Sequence, residues 1–170
     1  MRLYHFTDPR NIESIKRFGL MSWQQLVQRG INHYPGSNDD SRRLDARKSL
    51  ENYVRLCLFP KHSMAELAVQ HKRIDSFVWL SIDDRVIRLA TSLFSDQNAT
   101  ANAAIINDDP NTALSSKNPR AEVLVEGSID INWISFPSEV KPVSTIGENA
   151  IKIVDPIRCY KKEIEGKLLN

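Results

Sequence analysis

The segment Arg120-Ala121-Glu122-Val123-Leu124-Val125-Glu126 decides the fold class. Ala121, Val123 and Val125 take one set of alternate positions, and Glu122, Leu124 and Glu126 take the other. A period of two is that of a strand, with one apolar face for a core. On either side of it, further strands can be read. Leu3 to Thr7 is short, rich in aromatic and β-branched types, and halted by Asp8-Pro9. Tyr53 to Phe59 is another. Ser76 to Ile82, a near-continuous apolar run, fits a central strand buried on both faces. Ile129 to Phe136 and Ile151 to Val154 are candidates too, with breaks at Pro137 and Pro142.

Helices announce themselves by their ends. Asp8 can cap one whose first position is Pro9, whose apolar side is Ile12, Ile15 and Phe18, and whose left-handed stop is Gly19. Ser22 with Gln25 forms a capping-box pattern for Trp23 to Arg29, closed by Gly30. Ser63 with Glu66 repeats it for a helix to about Arg73 that buries Met64, Leu67 and Ala68. Two stretches lack any sustained period: Ile31 to Ser49, with Pro35, Gly36 and paired aspartates, and Ser95 to Pro119, dense in Asn, Asp, Ser and Ala. Both read as long loops, the second with one turn of helix. Asp83 to Phe94 fits a strand or a short helix, and Cys159 to Asn170 a frayed helix. Mixed short strands and helices with two polar loops make an α+β domain, a single unit over 1–170.

A chain of 170 residues with 41% apolar content can bury one core. Its first residues lack the apolar stretch of a signal peptide and no later segment approaches a membrane span, so a soluble, cytoplasmic protein is expected. Cys57 and Cys159 have neither CxxC nor zinc-like spacing and are expected to be buried thiols, with no metal site. The net charge of +2 is small for a dedicated nucleic-acid binder. Six basic residues (Arg42, Arg43, Arg47, Lys48, Arg55 and Lys61) nevertheless stand against Asp45 and Glu51 in one region, which is either a solvated charged face or a patch for an anionic partner. The sequence has no GxGxxG, GxxxxGK[ST], HExxH or GxSxG, so Rossmann, P-loop, zincin and hydrolase-elbow chemistry lack their defining residues.

Four strings then become informative together. They are Tyr4-His5-Phe6-Thr7 followed by Asn11-Ile12 and Gly19-Leu20; Leu50-Glu51-Asn52-Tyr53-Val54-Arg55-Leu56 followed by His62-Ser63-Met64; Leu93 to Thr100; and Arg120 to Val125. In this order they resemble the DarT-type ADP-ribosyltransferases. The resemblance implies a compact split β-sheet with short helices around an NAD cleft, and transfer of ADP-ribose from NAD to a base of single-stranded DNA with release of nicotinamide. It also implies a toxin, expected to be monomeric, whose partner is an antitoxin that removes the modification.

Carried over residue by residue, the resemblance makes Glu122 catalytic. A carboxylate near the ribose 2′-hydroxyl orients the sugar and stabilises the oxocarbenium-like charge that develops as nicotinamide leaves. Arg47 is expected beside it as the family's essential arginine, with Arg43 second and Arg42 a competitor. A guanidinium stays charged, so its expected part is electrostatic or toward the pyrophosphate, not that of a free base. The cofactor is expected to meet His5, Phe6, Thr7, Gly19, Leu20, Arg43 and Tyr53, and the acceptor strand Arg42, Arg55, Asn98 and Thr100, with Tyr34 or Trp23 stacking on a base. Other readings stay open: an RNA or protein acceptor, and a non-catalytic NAD- or nucleic-acid-binding module on the same fold.

Overall fold

The computed structural model of the chain describes residues 1–60 and 63–137. The strand candidate at 151–154 and the charged segment 159–170 lie outside the described residues. In chain order the elements are β1 (Arg2–Thr7), α1 (Ile12–Phe18), β2 (Leu20–Met21), α2 (Trp23–Gln28), α3 (Asp39–Arg47), β3 (Tyr53–Cys57) and α4 (Ser63–Gln70). There follow β4 (Val78–Asp83), β5 (Leu93–Ser95), β6 (Ile106–Asn107), α5 (Asn111–Leu114), β7 (Glu122–Glu126), β8 (Ser128–Ile129) and β9 (Ile134–Ser135). Seven strands form one sheet in the order β6-β5-β7-β3-β1-β4-β9, β2 and β8 form a second pair, and every pairing is antiparallel. The expected α+β class holds.

The alternation in β7 does what its period requires. Val123 and Val125 enter the main core with Leu3, Val54, Leu56, Leu80, Ile82 and Phe94, while Leu124 joins Leu50 and Ala99 in a second cluster. Glu122 to Val125 are therefore all buried and Glu126 is exposed. β7 pairs with β3 from Tyr53↔Glu126 to Cys57↔Glu122 and with β5 from Leu93↔Leu124 to Ser95↔Glu122.

The sheet opens between β1 and β3. β1 is laddered to β4 along its whole length, from Arg2↔Asp83 to Thr7↔Val78, yet it shares with β3 the single registered pair Tyr4↔Cys57. Past that pair His5, Phe6 and Thr7 leave β3, and a cleft enters the gap. The expected split sheet is present.

Several expectations are corrected. Ile31 to Ser49 is not one long loop: it contains α3. Asn38 Oδ1 accepts from Ser41 N at 2.8 Å, Asp39 and Asp40 occupy the first turn, and Arg42 and Arg43 pair back to them at i,i+3. These are helix-stabilising devices that leave no apolar stripe, and no residue of α3 is fully buried. The apolar run 76–82 is not buried on both faces either; Leu80 and Ile82 are buried while Val78, Trp79 and Ser81 are half-buried. In α4, Ala65 and Ala68 are buried where Met64 and Leu67 are only partly so, and the helix ends at Gln70. Ile129 to Phe136 is broken by a 3-10 turn, Ile131–Trp133, because Asp130 caps it by accepting from Asn132 N. Asp83 to Phe94 holds both options, a 3-10 turn at Asp84–Arg88 and the start of β5.

Gly19 ends α1 at φ 79° and ψ 178°, a region open to glycine almost alone. A Cβ there would lie 2.5 Å from the Ile129 carbonyl oxygen, which β2 needs beside it for its pairing with β8. Gly19→Ala is expected to destabilise the fold by about 1–3 kcal/mol, seen as a lower denaturant midpoint at unchanged slope.

Candidate active site

The cleft in the split sheet has a volume of about 260 Å³. One lip is β1 with His5, Phe6 and Thr7; the opposite wall is β3 and β7 with Tyr53, Arg55, Cys57 and Glu122. Gly19 and Leu20 border it where α1 passes into β2, and Asn98 and Thr100 reach it from the turn after β5.

At its centre sits Glu122, with 6% exposure. A buried carboxylate needs compensating donors, and this one has two. Arg55 Nη1 donates to Glu122 Oε2 at 2.6 Å and the Ala99 N–H donates to the same oxygen at 2.8 Å. Register explains the first bond, because Cys57 faces Glu122 across the ladder and Arg55 lies two residues back, on the same face. The other arm of the guanidinium, Nη2, ion-pairs with Asp45 of α3. Burial works against the Arg55 charge, but the two carboxylates outweigh it and hold its pKa above the ordinary value. Burial also pushes the Asp45 carboxyl up, with Arg55 pulling the other way. Cys57, beside them in the cleft wall, is driven up to about 12 by burial and then by Glu122, and stays a thiol.

Across the gap His5 does the work of a missing ladder rung. Its Nδ1 meets the Arg55 carbonyl oxygen at 2.9 Å, and since a carbonyl only accepts, Nδ1 carries the hydrogen. Burial lowers the imidazole pKa against the raising effect of that same bond, so the ring is neutral with Nε2 an acceptor. Next to it, the Thr7 hydroxyl accepts from Asn11 Nδ2 at 3.0 Å. Asn11 also exchanges two bonds with the backbone of Tyr34, at 2.9 and 2.8 Å, and Arg10 stacks on the Tyr34 ring at 3.9 Å. That anchoring holds the segment at 33–37 over the cleft mouth, where Gly36 lies against Phe6 too closely for a Cβ.

The structure thus brings together His5, Phe6, Thr7, Gly19, Leu20, Tyr53, Arg55, Asn98, Thr100 and Glu122. The three loop arginines fall elsewhere. Arg47 is exposed in the last turn of α3 and outside the cleft wall, Arg43 is exposed and paired with Asp40, and Arg42 is half-buried over the Trp23 ring at 4.4 Å. The reason is α3 itself, whose winding turns these side chains away while presenting Asp45. Asn98 mostly serves its own turn, its Oδ1 accepting from Thr100 N and Oγ1. Asp45 and the anchoring part of Asn11 were not legible without α3 and without the contact to Tyr34. No group of His, Cys, Asp and Glu among the described residues could hold a metal.

A split sheet with an imidazole on one lip and a buried carboxylate on the other is the ADP-ribosyltransferase arrangement that the resemblance implied. Solved structures bear out the fold. Thermosipho africanus DarTG in complex with ADP-ribose matches with a TM-score of 0.65 at 22% identity, over 79% of this chain and 42% of that one. Thermus sp. 2.9 DarT in complex with ADP-ribosylated ssDNA matches with a TM-score of 0.64 at 15% identity, over 81% and 82%. The same protein in complex with NAD+ matches with a TM-score of 0.59 at 16% identity, over the same shares. The chain thus spans less than half of the Thermosipho protein. No curated protein matches it. The family model described as DarT, ssDNA thymidine ADP-ribosyltransferase, matches residues 4–141, and the chain belongs to that family.

Two predictions follow from the charges in the cleft. Arg55→Met leaves Glu122 and Asp45 without a counter-ion. With the guanidinium 21% exposed, the loss is expected to be about 2–4 kcal/mol near neutral pH, somewhat below that of a fully buried pair. The deficit should shrink as pH falls and Asp45, whose carboxyl burial pushes above its ordinary range, neutralises, which unfolding curves at several pH values would show. His5 titrates near 6.5 when unfolded and lower when folded. It therefore costs stability as pH falls below about 6.5, because only the unfolded chain takes the proton. Melting curves of wild type and His5→Gln between neutral and mildly acidic pH should lose that difference in the variant.

Proposed function

We propose that this chain breaks the nicotinamide–ribose bond of NAD and transfers ADP-ribose to a base of single-stranded DNA. The observation that carries the reading is Glu122: a carboxylate buried on a central strand, held by a guanidinium and a backbone N–H, in the wall of a cleft that a neutral imidazole also lines. The complexes of Thermus sp. 2.9 DarT with NAD+ and with ADP-ribosylated ssDNA support the same choice of co-substrate and acceptor.

In this reading His5 Nε2 accepts from a ribose hydroxyl and the Thr7 hydroxyl, already accepting from Asn11, donates to the cofactor. Phe6, Tyr53, Gly19 and Leu20 wall the dinucleotide. Glu122 faces the ribose. As nicotinamide departs neutral with the bonding pair, the carboxylate offsets the positive character at the anomeric carbon, and the acceptor nitrogen attacks from the opposite side and releases its proton to solvent. Arg55 keeps Glu122 in place, and so takes the guanidinium role that Arg47 was expected to fill. Asn98 and Thr100 border the acceptor base. Arg42, Arg43 and Arg47, on one outer helix, suit phosphates of the strand.

No helix among the described residues is long and apolar enough to cross a membrane. With DNA as substrate, we place the protein in the cytoplasm as a single catalytic domain, with an antitoxin that reverses the modification as its partner, a pairing consistent with DarTG of Thermosipho africanus.

Purified protein incubated with NAD and each of four homopolymer oligonucleotides should release nicotinamide and add one ADP-ribosyl group to one of them by mass. Glu122→Gln is expected to lower kcat by about 10²–10³ while the protein still melts cooperatively. NAD binding without nicotinamide release in the wild type would leave a binding module and refute the transferase.

A further inference from the structure

Lys48 is the residue after α3. Its backbone closes the helix. The N–H groups of Ser49 and Leu50 return to the carbonyls of Ala46 and Asp45 at 3.1 and 2.8 Å, with Ser49 at φ 56° in the left-handed region. This is the two-bond helix ending usually completed by glycine. Directly after it, Leu50 is buried against Ala99 and Leu124. The chain therefore leaves α3 pinned to the turn after β5. Lys48 Nζ adds to that pin: it donates to the carbonyl of Ala99 at 2.8 Å and to that of Ala101 at 2.5 Å. Both bonds are charge-assisted and they bracket Thr100, which borders the cleft.

The peptide of Ala99 is thus held at both ends. Its carbonyl goes to Lys48 and its N–H to Glu122 Oε2. One turn of helix earlier, Asp45 holds Arg55, the other donor to that same oxygen. Both partners of the central carboxylate are consequently fixed from α3, by residues three apart in sequence.

Building on the transferase reading above, we infer that Lys48 is a positioning residue for the reaction, its ammonium setting the 98–101 turn so that Ala99 orients Glu122 and Thr100 borders the acceptor. The ordinary alternative for a lysine in a basic stretch is a contact to a DNA phosphate, and the two differ in what they change. A positioning lysine alters turnover before any strand is bound, whereas a phosphate contact alters strand affinity and its salt dependence.

Nicotinamide release, NAD KM, oligonucleotide KM and hydrogen exchange of the 98–101 amides would be measured for wild type, Lys48→Met and Lys48→Arg. Lys48→Met is expected to lower kcat for nicotinamide release by about 10- to 100-fold, with NAD KM changed by no more than about twofold, as a displaced catalytic group does. Exchange at Ala99 should quicken, and Lys48→Arg, which can still donate to both carbonyls, should recover part of the rate and protection. An unchanged kcat with a weaker oligonucleotide KM and a shallower salt slope would overturn the assignment in favour of a phosphate contact. A lost rate with Ala99 exchange unaltered would overturn it as well. Should wild type release no nicotinamide, the transferase reading fails by itself, and the exchange comparison still decides whether Lys48 holds the turn.

Discussion

The cleft depends on satisfying one carboxylate in a place that water scarcely reaches. Glu122 is nearly sealed in the sheet, and Arg55 and the Ala99 N–H converge on one of its oxygens. Arg55 is in turn held, half-buried, between two acids, so the guanidinium and both carboxylates depend on one another. The surrounding architecture can be read as what this requires. β3 supplies the guanidinium by register with β7, α3 supplies its second acid, and the turn after β5 supplies the backbone donor.

The second requirement is an opening. A continuous ladder between β1 and β3 would fill the cleft, but opening it frees backbone polar groups that would otherwise be orphaned. The fold answers with side chains. His5 satisfies the Arg55 carbonyl, and Asn11 satisfies both Thr7 and the strap carrying Tyr34. The groups that line the cleft toward a ligand are thus also those that make its absence of ladder tolerable.

How much of this the sequence disclosed follows from where the signals lay. β7, β3, α1 and α2 carried period and caps, and they were legible. His5, Thr7 and Glu122 became candidates through their strings and were brought together around one cleft. α3 went unseen because it is stabilised by a cap and i,i+3 ion pairs on a polar surface, which leaves no apolar period to count. On an irregular loop Arg47 is free to point inward, whereas in the last turn of α3 it is exposed and outside the cleft wall. The unseen helix also concealed Asp45, whose partner Arg55 is ten positions away in sequence and adjacent only after α3 has packed.

Cys57 shares the wall of the cleft with Glu122 and remains uncharged, its pKa pushed up to about 12 by burial. Thiol chemistry with oxidants and alkylating agents runs through the thiolate. The sulfur in this wall is therefore poorly suited to react with oxidants or alkylating agents, although it stands beside the cleft.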